Sequence, residues 1–337
     1  MGTKANWLKD ALPRNTILHG KYKIRKLLHQ SELSIVYAAI DLDSGEMRAV
    51  KEFYPRTVAS RRSDSLTVGC MRAELSAAYY KLLEQFEREA KLLQELDHPN
   101  IVRYADHFEA NGTIYLVTSM HVGMTLSRKV VSRANENDGC GGGSLSIDEM
   151  IRIFEPILDA MSYLHEKRIV HRDIKPANIW LEQDGRPVLL DLGSAIRYDE
   201  PGPHPIVTTT GYSPIELYSE RSKQGPEADV YSFAATLYFA LSGGQPPSDA
   251  ASRLFDDKRP SVRAHSREVS LWMDRIIRWG LSVESGKRFR SLRWFRAAFR
   301  LQRAAMLVTP RRKNKLAASS PNVSSTSSTK KNASSLG

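Results

Sequence analysis

The stretch "IVHRDIKPANIWL" at 169–181 places the tightest condition on any fold this chain can adopt. Ile169-Val170 and Ile179-Trp180-Leu181 read as buried strand ends. Between them stand His171, Arg172, Asp173, Lys175 and Asn178, around the fixed ring of Pro176. Charge taken into an interior costs free energy unless it is paired, hydrogen-bonded or used. The fold must therefore bring partners to these side chains from distant parts of the chain.

The 337 residues give room for one large domain or two lobes. A 41% hydrophobic share supports a sizeable core, and 26% charged is ordinary for a globular chain. Cys70 and Cys140 lie far apart, match no metal-ligand spacing and read as reduced thiols of a cytosolic protein. The apolar run "VYSFAATLYFAL" (230–241) has the length of a buried core helix rather than of a membrane span. No signal-peptide pattern opens the chain, and Asn6 stands where a myristoylation signal needs Ser or Thr. A cytoplasmic protein without a transmembrane segment is expected.

The net charge of +11 is uneven: residues 258–315 hold 17 Lys/Arg against three acids, and the rest of the chain sums to −3. Such a region suits nucleic acid, an anionic membrane surface or an acidic partner. The plainer reading is a solvated face followed by a basic tail. No specific nucleic acid is expected, and the tail leaves peripheral contact with anionic surfaces open.

Between Tyr22 and Phe53 the segments "YKIRKLLHQ", "LSIVYAAID" and "EMRAVKEFY" alternate with polar breaks, and "DLDSGEM" has hairpin chemistry. Leu82, Leu83, Phe86, Ala90, Leu93 and Leu96 then predict a helix over 76–96. Strands are expected at 101–108 and 113–118, joined across the Asn-Gly of "EANGT". Residues 132–144, "SRANENDGCGGGS", read as a flexible loop. "SIDE" at 146–149 reads as a capping box that opens a helix with Met150, Phe154, Ile157, Leu158, Met161 and Leu164 on its apolar stripe. A last helix is expected near 291–303, and from about Thr309 the composition is that of a disordered tail. The class is α+β: a small antiparallel sheet with one long helix, then a larger, mainly helical part.

The chemistry now has its parts. "HRDIKPAN" puts Asp173, Lys175 and Asn178 on one loop, and "LLDLG" puts Asp191 at a strand end. "RAVKEF" places Lys51 on a strand, with Glu89 on the helix that follows. One base, two metal-binding side chains and a buried Lys-Glu pair are what phosphoryl transfer from magnesium-ATP requires, because that chemistry is positioning plus charge neutralisation. Each fragment alone says little: an isolated HRD is usually a surface triplet, and a strand Lys with a helical Glu is usually an ordinary ion pair. In order, and at these separations, they are specific.

"HRDIKPANI" followed by "DLG", "SPIE" and "DVYSFA" resembles the eukaryotic-type (Hanks-type) serine/threonine protein kinases over about residues 20–302. "KEFYP", "FEREAKLLQELDHPNIVR", "GYSPIELY" and "QGPEADVYSFAATLY" resemble a bacterial subgroup. The resemblance implies a two-lobed protein kinase fold: an N-terminal extension over 1–19, a small lobe over 20–118, a large lobe over 119–303 and a basic Ser/Thr-rich tail over 304–337. It implies ATP with magnesium or manganese, protein substrates, and autophosphorylation on Ser or Thr. Asp173 would accept the substrate proton, Lys175 neutralise the moving phosphate, Asn178 and Asp191 hold the metal, and Lys51 hold phosphates while paired to Glu89. Thr209 would line the substrate groove, Glu216 pair with Arg288, Asp229 brace the catalytic loop, and His171 and Leu192 join the lobes. Thr118 would be the gatekeeper, leading into a hinge of Ser119, Met120 and His121. Arg172 could receive a phosphate carried by Thr208 or Thr210.

The pattern departs at the phosphate-covering loop, where the three family glycines fall at His29, Ser31 and Ser34. Glycine lets backbone N–H groups approach phosphates closely, so a weaker nucleotide grip is expected. Trp180 stands where the family usually has the Leu that floors the adenine pocket. Strand alternation turns it away from Ile179 and Leu181, toward a base roofed by Val36 and Ala49; the alternative is a Trp displaced into lobe packing. Besides an active protein kinase, a pseudokinase and a small-molecule kinase stay open. The first alternative rests on the missing glycines; the full activation segment (191–216) disfavours the second.

Overall fold

Alternation in the first third of the chain produces a curled antiparallel sheet. The computed structural model describes residues 10–136, 143–200 and 202–308. Cys140, the glycine-rich centre of the expected flexible loop and the expected tail from 309 onward lie outside these residues. In chain order come β1 (Ile17–Leu18), β2 (Tyr22–Gln30), β3 (Ser34–Asp41), β4 (Met47–Phe53), a hairpin of β5 (Ala59–Arg61) and β6 (Val68–Cys70), helix α1 (Ser76–Gln94), β7 (Tyr104–Ala110) and β8 (Thr113–Ser119). The main sheet runs β1-β2-β3-β4-β8-β7, all pairs antiparallel. Asn111 (φ 51°) and Gly112 (φ 70°) both take the left-handed conformation that a tight two-residue hairpin requires.

The large lobe follows with β9 (Gly123–Thr125), α2 (Leu126–Glu136), α3 (Ile147–Glu166), β10 (Ile169–Val170), β11 (Ile179–Glu182), β12 (Pro187–Leu189), β13 (Ile196–Arg197), α4 (Pro226–Leu241), α5 (Leu271–Gly280) and α6 (Arg293–Val308). Ser146 and Glu149 close the expected capping box of α3. Every residue of α4 from Ala228 to Leu241 is buried, so it is the central helix of this lobe. No helix among the described residues is long and apolar enough to cross a membrane. The fold is α+β with two lobes, as the sequence predicts.

Three differences from expectation have physical reasons. The strand expected from 101 starts at Tyr104, because the preceding backbone bonds to the other lobe: Val102 N donates to Leu189 O (3.0 Å) and Leu189 N to Asn100 O (2.8 Å). The last helix runs on to Val308. Residues 10–18, read as an extension, supply a strand and the buried Leu12 and Leu18.

The sequence reading was silent on β5–β6. Alternation along β4 sends Lys51 to one face and Glu52 to the other, where Glu52 is fully buried. Its carboxylate accepts from Tyr37 Oη (2.7 Å), Tyr115 Oη (2.9 Å) and Arg61 Nη2 (2.6 Å). Arg61 also donates to Asp10 O and Leu66 O (both 2.7 Å), which ties the hairpin and the N-terminal segment to the back of the sheet. Burial, with the Glu52 charge beside them, pushes both phenol hydroxyls well above their ordinary pKa, so they stay protonated and donate to Glu52 while accepting from Leu12 N (2.9 Å) and Asn111 Nδ2 (3.1 Å). Arg61→Ala strands the Glu52 carboxylate. The expected loss is about 3–5 kcal/mol, read as a lower denaturation midpoint at unchanged m-value; a loss below about 1 kcal/mol would show that the pair behaves like an exposed one.

Candidate active site

Strand register decides which side chains face the cleft. Val36 lies opposite Lys51, Ala38 opposite Ala49, and Ala49 opposite Thr118, so Val36, Ala49, Lys51 and Thr118 share one face of the sheet. Lys51 Nζ donates to both oxygens of the buried Glu89 on α1 (2.9 and 2.8 Å) and to Asp191 Oδ1 (3.0 Å). Gln85, one turn earlier on α1, donates to Gly193 O (2.9 Å), so the helix is held against the strand-end loop twice. Burial disfavours the Lys51 ammonium, but the Asp191 and Glu89 carboxylates outweigh it and hold its pKa up. The same ammonium holds the Asp191 carboxyl well below the usual carboxylate range. Burial pushes the Glu89 carboxyl up, against the pull of Lys51.

The polar loop of the opening stretch finds its partners in α4. Asp229, fully buried in the first turn of that helix, accepts from His171 N (2.9 Å), Arg172 N (2.8 Å) and His165 Nε2 (2.8 Å). Burial alone would raise its pKa, yet the hydrogen bond and charge of His165 lead the contacts that lower it. Asp229 thereby holds Arg172 at φ 68°, a strained conformation for a residue with a side chain. Asp191, at φ 56°, is strained likewise and is held by Lys51 and by Gly193 N (3.2 Å).

Asp173 presents its carboxylate at the centre. Oδ1 accepts from Thr209 Oγ1 (2.9 Å); Oδ2 accepts from Asn178 Nδ2 (2.9 Å) and pairs with Lys175 Nζ (2.8 Å). Lys175 also donates to Thr209 Oγ1 (3.2 Å). Because the Asn178 amide nitrogen is committed to Asp173, its carbonyl oxygen is left for another ligand. Asp191 meets Lys51 and Gly193 N through Oδ1. Two hard oxygen donors fit magnesium or manganese. Among the described residues no cluster of three or more His, Cys, Asp or Glu forms a cage, so such a metal would draw its other ligands from phosphate and water.

The turn between β2 and β3 is closed on itself. Ser31 N donates to Ser34 O (2.9 Å), while Ser31 Oγ accepts from Leu33 N (3.3 Å) and Ser34 N (3.1 Å) and lies 3.1 Å from Ser34 Oγ. His29 sits exposed on β2, opposite Val36. Main-chain bonds from Tyr54 to Leu33 O and from Arg56 to Glu32 O (both 2.9 Å) pin the turn from behind.

At the hinge, Ser119 Oγ bonds His121 Nε2 (2.9 Å) and His121 Nδ1 meets Glu182 Oε1 (2.7 Å) on β11. These side chains tie the hinge to β11. Trp180 is half-buried between the fully packed Ile179 and Leu181, opposite Thr125 and Val188 in register, and its buried indole N–H has no partner. Glu216 and the buried Arg288 form a paired fork (2.6 and 3.0 Å).

Arg172 is buried with carbonyl partners only, Ser194 O (3.3 Å) and Pro205 O. His204 stands in the same field: burial lowers its pKa, and Arg172 and Arg88 lower it further. Sequence reasoning missed Arg88, His204 and the Glu182 brace. Only the adjacency of Arg88 to Glu89 in "FEREA" offered a signal.

A family model described as "Protein kinase domain" matches residues 22–296. The chain is similar to Sperm motility kinase 2B of Mus musculus, 34% identical over 166 residues, which is 49% of this chain and 32% of that protein. It is similar to CBL-interacting protein kinase 24 of Oryza sativa subsp. japonica, 27% identical over 240 residues, 70% of this chain and 47% of the relative. The chain thus spans between about a third and a half of those proteins' lengths. The solved structure "PpkA-294 apo form" superposes with a TM-score of 0.73 at 25% identity, covering 86% of this chain and 99% of that one. The kinase domain of Mycobacterium tuberculosis PknI superposes with a TM-score of 0.64 at 23% identity, covering 87% and 99%, a likeness of fold. With residues 22–296 matched to the family model and the same two-lobed architecture in both solved structures, the chain belongs to the protein kinase domain family.

Proposed function

We propose that the chain is a serine/threonine protein kinase of the bacterial Hanks type, in a subgroup marked by KEFYP, and that it phosphorylates protein hydroxyls including its own. The observation that carries this reading is the convergence of Lys51, Glu89 and Asp191 on one side and Asp173, Lys175, Asn178 and Thr209 on the other. Asn178 and Asp191 would hold magnesium, which would supply charge neutralisation for the phosphates. Lys51 orients the α and β phosphates, with Glu89 fixing its ammonium. A substrate hydroxyl enters where Thr209 Oγ1 now meets Asp173 and passes its proton to that carboxylate. Its oxygen bonds the γ phosphorus as the bond to the bridging oxygen breaks and ADP leaves. Lys175 offsets the negative charge of the group in transit. The polar groove at Thr209 and the full activation segment suit a protein substrate.

The closed serine turn favours a second reading, a nucleotide-binding pseudokinase, since three of the amides that would meet phosphate are spent internally. Transfer of labelled γ-phosphate separates the two. Asp173→Asn is expected to lower incorporation about 10²–10⁴-fold, and Lys51→Met to reduce it strongly. Label found on phosphotyrosine, or unchanged in the Asp173 variant, would overturn the kinase reading.

Arg172 and its neighbour Arg88 offer cationic groups to a phosphate on the exposed Thr208 or Thr210, adding charge-assisted bonds that order the segment. Replacing both threonines by Ala is expected to lower activity about tenfold, measured after pre-incubation with magnesium-ATP. Full activity in that variant rules the switch out.

Trp180 would floor the adenine site. Its partly exposed position at the edge of the core supports a ring whose free face meets a ligand. ATP is expected to change the intrinsic fluorescence, and Trp180→Leu to remove most of that change while weakening binding by about 0.5–1.5 kcal/mol. Equal or tighter binding with the signal intact would show that the indole is packing, not platform.

A further inference from the structure

The base of the large lobe presents a face that phosphoryl transfer does not use. On α5, Trp272, Arg275 and Trp279 fall at i, i+3 and i+7, one side of the helix, with Leu271 and Arg278 beside them. On α6, Trp294 and Leu301 are a full two turns apart, flanked by Arg293 and Arg300. The two helices pack side by side, and Trp279 meets Trp294 at 5.5 Å between ring centroids. Leu271 is 65% exposed, Trp272 58% and Leu301 50%, while Trp294 and Trp279 keep 39% and 38%, the latter packed on Phe289 with its indole N–H donating to Lys287 O (2.7 Å). Arg275 and Arg293 lie over the Trp272 and Trp294 rings at 5.8 and 5.9 Å. None of Arg275, Arg278, Arg293 and Arg300 has a carboxylate partner among the described residues, and the one acid of α5, Asp274, is buried and bonded to Ser261 and Val262.

We infer that this face docks on an anionic lipid bilayer, lying in the headgroup plane with the indoles and leucines inserted and the arginines on the phosphates. Unpaired positive charge with no acid calls for a polyanion. Exposed Leu271 and Leu301 gain nothing from nucleic acid but do gain from acyl chains. The tryptophans are the side chains that favour that interface. Arg311, Arg312, Lys313 and Lys315, close beyond α6 in sequence, add charge of the same sign. The inference is independent of kinase turnover, because no residue of the face belongs to the cleft.

The test uses the full-length chain and co-sedimentation with vesicles of phosphatidylcholine alone or mixed equally with phosphatidylglycerol. Binding is expected to the mixed vesicles only, to weaken with salt, and to shift tryptophan emission to the blue. The triple variant Arg275→Glu, Arg293→Glu, Arg300→Glu is expected to bind at least about tenfold more weakly. Trp272→Ala is expected to lose affinity about threefold or more at unchanged salt dependence. Thermal melting confirms that each variant is folded. No binding to mixed vesicles overturns the inference. So does binding that survives the triple variant but is lost when Arg311, Arg312, Lys313 and Lys315 are changed to Gln, since the tail then acts alone. Binding of a polynucleotide instead, abolished by the triple variant, would reassign the face to nucleic acid.

Discussion

The ion pair between Lys51 and Glu89 is the contact on which the geometry of the cleft depends. It joins a strand of the sheet to the one helix of the small lobe, and through Asp191 it reaches the large lobe as well. A lysine on a strand can point one way only, so β4 fixes where the ammonium stands. Glu89 then fixes α1, and Asp191 is drawn to the same charge in a backbone conformation that would otherwise be costly. The three groups balance one another: desolvation disfavours each charge, and each is held by an opposite charge within about 3 Å.

A second buried carboxylate on the same strand explains how the first is kept in place. Glu52 faces away from the cleft and collects two phenols and a guanidinium, so the back of the sheet is tied to the hairpin that leads into α1. Across the lobes, His121 and Glu182 clamp the hinge from the side. Both devices are polar and hydrogen-bonded, the first fully buried and the second partly so, which gives directional rigidity that apolar packing alone does not supply.

In the proposed function, the closed turn at Ser31–Ser34 and the indole at Trp180 would pull the nucleotide site in opposite directions. One withdraws amides from the phosphate end. The other offers a broad aromatic surface where an aliphatic side chain would be smaller. A site built in this way would shift binding energy from phosphate toward base.

Most of the cleft was legible in order along the chain. "HRDIKPAN" and "LLDLG" named Asp173, Lys175 and Asn178, which the fold brings into contact with one another, and Asp191, which it brings to Lys51. Period-2 and period-3.6 patterns placed the sheet and α1 to within a few residues, and "SIDE" announced the start of α3. The start of β7 was misplaced because residues 100–102 bond to β12, a competition between lobes that no local pattern records.

What the sequence determined by itself was the inventory and its order: which side chains carry charge, which faces are apolar, and where glycine is missing. Tertiary structure alone decided the pairings. Glu52 with Arg61, His121 with Glu182 and Arg172 near Arg88 and His204 join residues whose separation carries no signal. The same holds for the serine turn, where small polar residues could equally have faced a phosphate or one another. The physical reason is that a polar side chain is committed only once burial removes water as a competitor, and burial is a property of the packed whole.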